Sequence, residues 1–296
     1  MPTNKNNSNT DYGLERIMLA MGNQPLLVYT IHPDDFAIGA AGTVYRISQR
    51  GKKVYVVNMV PPAQYGGYRD TKAEIEYGGL KQEFDVSCSI LGCEGIFDLE
   101  KSDWLPKDHK LGTVGDPDPN SEVLEKIIIK SIRDLQPGVV LVPYQRDHHK
   151  DHINGSKVID YAAWRSGRES RVSELGEPWH FPSQLHEVLE YPVIPILVPQ
   201  PGLLYVDTTG EPSHKKLEAQ LAHKSQMERD QFYWFSSWLR DVDNAINLHG
   251  SAALKHSLPN KIPTPEEAKA AISNYFFGNQ PLPMAEVFLP SGFASR

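Results

Sequence analysis

The chain has 296 residues, 40% hydrophobic and 23% charged, which is ordinary globular usage and enough for a full core. Its 30 basic and 37 acidic residues give a net charge of −7 without any basic stripe, so no nucleic acid is expected as a partner and a small neutral substrate is easier to accommodate. The polar start MPTNKNNSNTDYG and the lack of any apolar run of 18 residues predict no membrane association and a cytoplasmic location.

Residues 1–20 read as a polar tail and 21–296 as a single domain. PLLVYTI is an apolar run of strand length, followed by HPDD and then by the small-residue segment FAIGAAGTVYRISQRG, which ends at a glycine as helices often do. KKVYVVNMV predicts a second buried strand, residues 70–91 a helix, GIFDL a short strand, SEVLEKIIIKSIRDL an amphipathic helix and PGVVLVPY another strand. Strand and helix in alternation predict an α/β fold, a Rossmann-like, doubly wound and mostly parallel sheet.

That core runs from about 25 to 165. From 166 to 296 the prolines multiply, and HEVLEYP, LLYVDTT and a helix from Ser213 to about Glu228 read as C-terminal strand and helix additions capping the active-site edge of the sheet. Phe232, Tyr233, Trp234 and Phe235 read as core or interface, which leaves room for a homo-oligomer. Cys88 and Cys93 fit no metal spacing and read as buried or inert thiols.

Two motifs carry chemistry. His32-Pro33-Asp34-Asp35 stands where the first strand ends, and Arg146-Asp147-His148-His149-Lys150-Asp151-His152 follows the strand VVLVPY. Ligands of open parallel sheets bind outside the carboxyl ends of the strands, which is where both motifs fall. Adjacent carboxylates repel unless a positive group such as a divalent metal lies beside them, so one aspartate can bind metal while the other faces the water on it. His149 and His152, three apart, share one side of a helical first turn, and neutral imidazole is a common zinc ligand. A histidine and an aspartate from the first motif with a histidine from the second give the three protein ligands of a catalytic zinc. Taken singly, HPDD could be a helix cap and HHKDH a solvated polar loop; their joint placement after two strands favours the metal reading.

His32-Pro33-Asp34-Asp35, with Ile38-Gly39-Ala40-Ala41-Gly42-Thr43 behind it, resembles the opening motif of the LmbE-like (PIG-L) N-acetylglucosamine deacetylases. His149-Lys150-Asp151-His152 resembles the family's His-Pro-Asp-His, with Lys150 in place of proline, and the likeness extends through Leu91-Gly92. The resemblance implies Zn2+ or another divalent metal on His32, Asp35 and His152, with Asp34 as general base. It further implies His149 as general acid or electrophile and Asp151 as the group that orients His149.

Phe36 departs from the pattern, standing where an acid commonly follows the two aspartates. So does Leu80-Lys81-Gln82-Glu83, where the family offers Arg-x-x-Glu. Arg69 or Lys81 is the expected substitute for the missing substrate-contacting arginine, Tyr144 is not in register with the tyrosine of some relatives, His148 reads as facing solvent or the backbone, with a fourth metal ligand as the alternative, and His223 reads as structural. The implied function is removal of an N-acetyl group from a glucosamine-type conjugate in a thiol-cofactor, antibiotic or glycan context. The alternatives are hydrolysis of another small amide or ester, and a non-catalytic binding protein on the same fold.

Overall fold

A computed structural model describes residues 12–59, 77–97, 122–168, 173–182, 188–193, 203–227 and 285–290, with isolated residues between them. In chain order the elements are α1 (Tyr12–Met21), β1 (Leu26–Thr30), α2 (Asp35–Gly39), α3 (Ala41–Gln49), β2 (Val54–Asn58), α4 (Tyr77–Leu91), β3 (Glu94–Ile96), α5 (Glu122–Leu135), β4 (Val139–Pro143), α6 (Lys150–Ser166), β5 (Val188–Tyr191), β6 (Leu204–Asp207), α7 (Glu211–Ala222), α8 (Lys224–Met227) and β7 (Ala285–Pro290).

The strands form one sheet in the order β3-β2-β1-β4-β5-β7-β6. β1 pairs in parallel with β2 on one side and with β4 on the other, β3 and β5 extend the parallel set, and β7 runs antiparallel between β5 and β6. The chain therefore builds outward from β1 in one direction and then restarts at β4 in the other. The crevice between β1 and β4 is the topological switch point at which doubly wound sheets bind ligands.

β1 and β4 are buried at every position because helices cover both faces, which is why LLVYT and VVLVP read as continuous apolar runs rather than alternations. Two clusters flank the sheet. Phe36, Val44, Phe84 and Leu91 belong to one, and Leu27, Tyr29, Ile128 and Ile159 to the other. α5 shows the cause of a surface helix plainly: Glu122 and Glu125 open it, Ile127, Ile128 and Ile132 bury one face, and Arg133 lies in its last turn. The Arg133 guanidinium donates to the carbonyls of Ser166, Arg168 and Gly176, tying α5 to the chain that leaves α6.

Three expectations are corrected here. The segment read as a polar tail contains α1, whose Leu14, Ile17 and Met21 are fully buried at helical spacing. The helix expected from Ser213 to about Glu228 begins at Glu211 and divides into α7 and α8 around His223. The small-residue segment after HPDD is two helices broken at Ala40. Residues 70–76 and 232–235 lie outside the described set, and no described helix is long and apolar enough to cross a membrane.

Candidate active site

The turn after β1 is built by its own side chains. Thr30 Oγ1 donates to the His32 carbonyl and accepts from Phe36 N–H, while Asp35 Oδ2 accepts from His32 N–H at 2.8 Å. A residue three places on that returns to the backbone N–H at the helix start is the logic of a capping box, here using a carboxylate that also faces the imidazoles. After β4, His149 caps α6 by accepting from Asp151 N–H through Nδ1 at 3.3 Å. Lys150 is then the first helical residue, the position where a proline's missing N–H costs nothing, so lysine and proline are both accommodated there.

These two turns bring His32, Asp35 and His152 together. His32 Nδ1 lies 3.2 Å from His152 Nε2, His152 Nε2 lies 3.1 Å from Asp35 Oδ2, and Asp35 Oδ2 lies 3.4 Å from His32 Nδ1. Zinc bonds of about 2.0–2.1 Å in tetrahedral geometry require ligand atoms about 3.3 Å apart, so the three donor atoms have the spacing of one face of such a site. His149 makes an alternative third member, since His32, His149 and His152 can each offer a nitrogen with all three within 4.8 Å. The triangle containing Asp35 is the tighter of the two.

Each imidazole of the triangle has its other nitrogen on a carboxylate. His152 Nδ1 is 3.0 Å from Asp147 Oδ2, and His32 Nε2 is 3.2 Å from Asp151 Oδ2. Carboxylates that grip the far nitrogen of metal-binding histidines fix the ring and its tautomer. Asp147 had no role in the sequence reading; its only signal was a carboxylate five residues before His152. Asp151 stands closer to His32 than to His149 Nδ1, from which it is 3.8 Å away.

The electrostatics follow the geometry. Burial works against a charged His32, but Asp35 and Asp151 override it and hold its pKa well above the usual imidazole value. Burial likewise opposes charge on His152, and Asp35 and Asp147 raise it to about 9. Asp35 would be raised by burial, yet the two imidazoles hold it well below the carboxylate range. Asp34 is pushed up to about 7 by burial and by the charge of Asp35. His149 is lowered by burial and by the neighbouring His32 and His152.

Lys81 is exposed on α4 and ion-paired to Asp85, Arg69 lies outside the described residues, and His148 is exposed. Phe36 is fully buried against Phe84 at 5.7 Å and edge-on to His223 at 6.5 Å. His223 is buried and pushed down to about 3 by desolvation, so it is neutral behind the site. Glu83, the last residue of Leu80-Lys81-Gln82-Glu83, accepts from Ser225 N–H at 2.9 Å and from its hydroxyl at 2.6 Å, a role the sequence did not announce. Cys88 is buried and Cys93 half-buried, both as free thiols.

A paired His and Asp cluster thus stands at the switch point of a doubly wound sheet, with donor atoms spaced as a metal ion would need them. Residues 27–163 match the model of the family PIG-L, GlcNAc-PI de-N-acetylase. A 1D-myo-inositol 2-acetamido-2-deoxy-alpha-D-glucopyranoside deacetylase of Saccharopolyspora erythraea is 28% identical over 72% of this chain and 80% of its own length. The deacetylase of the same description from Rhodococcus opacus is 26% identical over 54% of this chain, and the match spans only 59% of that protein.

Among solved structures, N,N'-diacetylchitobiose deacetylase from Pyrococcus horikoshii superposes with a TM-score of 0.58 at 19% identity, covering 93% of this chain and 89% of the other. The 4-carboxy-2-hydroxymuconate hydratase GalB from Pseudomonas putida reaches 0.57 at 15% identity, covering 90% and 95%. A deacetylase and a hydratase on one fold at these identities establish the fold alone.

Proposed function

We propose that this chain is a metal-dependent N-deacetylase acting on a glucosamine-type conjugate, with Zn2+ the expected metal. The observation that carries the reading is the triangle of His32 Nδ1, Asp35 Oδ2 and His152 Nε2, with edges of 3.1–3.4 Å, backed by Asp147 and Asp151. These three residues would hold the cation. When bound there, it makes a water acidic near neutrality and polarises the scissile carbonyl.

Asp34, whose pKa is raised to about 7, is matched to take a proton from the attacking water and return it to the leaving nitrogen. His149 stands at the rim with its side chain 49% exposed, and its Nδ1 accepts a backbone N–H, which leaves the proton on Nε2. Its lowered pKa keeps it neutral, so it serves as a hydrogen-bond donor to the developing oxyanion rather than as a strong acid. The family match and the deacetylase relatives support the N-acetyl sugar substrate.

The test is amine release by the zinc-loaded protein from a panel of N-acetylglucosamine conjugates, including the inositol conjugate named for the relatives, beside simple esters and non-sugar amides. Turnover of at least one sugar conjugate above the other substrates is expected. Hydrolysis confined to the esters or non-sugar amides would contradict the substrate class, and no hydrolysis at all would contradict the enzyme.

A further inference from the structure

A second set of charges, wholly buried, packs against α2 and α3. Lys216 Nζ lies 2.6 Å from Asp241 Oδ2 and 2.8 Å from Glu286 Oε1, with all three side chains inaccessible to solvent. Arg240 Nη2 lies 2.9 Å from Asp241 Oδ1. Two cations balance two carboxylates, which is the condition under which such charges survive burial.

The network's contacts with α2 and α3 replace helix hydrogen bonds. In a continuous helix through Ala40, the Gly42 N–H would bond the Ile38 carbonyl, and the Ala41 N–H would bond that of Ala37. Here Gly42 N–H donates to Glu286 Oε1 at 3.0 Å and Thr43 N–H to Glu286 Oε2 at 2.8 Å. The Ile38 carbonyl accepts from Arg240 Nη2 at 3.0 Å, and that of Ala37 from Gln220 Nε2 at 3.1 Å. Arg240 Nη1 donates at 2.7 Å to Pro192, just past β5, so one guanidinium bridges α2 to the sheet. α2 is five residues long and begins at Asp35. Its amino end is set by Thr30 and His32, and its carboxyl end by side chains that arrive from residues 216–286.

We propose that Arg240, with Gln220, Lys216 and Glu286, is a set of positioning residues for the metal centre: by enforcing the break at Ala40 they hold α2 at the angle that keeps Asp35 within reach of His32 and His152. The inference rests on the proposed function, since it presumes that the triangle binds a cation. Loss of the network lets α2 and α3 relax toward one continuous helix and turns Asp35 out of the triangle. A network that served stability alone would leave metal affinity untouched in any variant that still folds.

Arg240→Lys keeps a positive charge beside Asp241 but loses the fork that reaches Ile38 and Pro192 together. Zinc affinity is measured by competition with a chromophoric chelator, well below a Tm recorded in parallel. A loss of about 10- to 100-fold is expected, the range for removal of groups that orient ligands. Affinity within twofold of wild type in folded Arg240→Lys would overturn the proposal. Should that variant not fold, the double variant Lys216→Met with Glu286→Gln removes one charge of each sign and leaves Arg240 with Asp241. The same loss supports the proposal and unchanged affinity overturns it. Wild-type protein that takes up no zinc contradicts the proposed function itself, an outcome distinct from equal affinity in wild type and variant.

Discussion

Asp34 and Asp35 are neighbours in the chain whose pKa values are moved in opposite directions. The imidazoles of His32 and His152 draw Asp35 into the triangle and keep it ionised, and that charge, added to burial, raises its neighbour to about 7. The proposed function draws a metal ligand and a base of near-neutral pKa from this one Asp-Asp pair, which is how close carboxylates acquire separate roles. Asp34→Asn is expected to retain zinc while turnover falls by about 10² to 10⁴, the span attributed to a general base. Amine release measured beside metal content checks this, and unchanged turnover would remove Asp34 from the mechanism. The motif residues were legible because few other uses justify two acids and a histidine at a strand's end. Asp147 was not, because sequence distance does not say which carboxylate will meet which imidazole nitrogen.

At the scale of elements, the segment Ile38-Gly39-Ala40-Ala41-Gly42 has small residues for a reason of packing. A Cβ on Gly39 would lie 2.3 Å from the Tyr191 ring, and one on Gly42 would lie 2.6 Å from the Thr208 methyl. β5 and the chain after β6 therefore approach α2 and α3 as closely as backbone allows, and bulkier side chains would push the C-terminal additions off the core. The composition was readable as small; the break at Ala40 was not, because the groups that enforce it stand some 180 to 250 positions further along.

The same kind of long-range tie fixes α8, whose second residue Ser225 is held by Glu83 of α4. Glu83→Ala removes a charged acceptor from two donors and is expected to cost about 1.5–3 kcal/mol. Urea unfolding with an unchanged m-value would report it, and a shift under about 0.5 kcal/mol would mean that the tie contributes nothing.

For the whole molecule, the parallel half of the sheet was legible in β1, β2 and β4, whose apolar runs are of strand length and buried on both faces. Their parallel arrangement was expected from alternation with helices, and the two motifs fall at the switch point because each follows one of the adjacent strands β1 and β4. β7 escaped notice because AEVFLP is short, carries the buried Glu286, and becomes a strand only by pairing with β5 and β6, which lie far earlier in the chain. The buried role of Lys216 was hidden for a related reason. A lysine in a polar helix reads as solvated, and only the fold supplies the carboxylates that let it be buried.

All of this architecture converges on one triangle of donor atoms, for which His149 in place of Asp35 is the competing set. Zinc per chain, determined by elemental analysis of wild type, Asp35→Ala and His149→Ala after identical loading and dialysis, decides between them. The account predicts about one zinc in wild type, its loss in Asp35→Ala and its retention in His149→Ala. Retention in Asp35→Ala with loss in His149→Ala would contradict it.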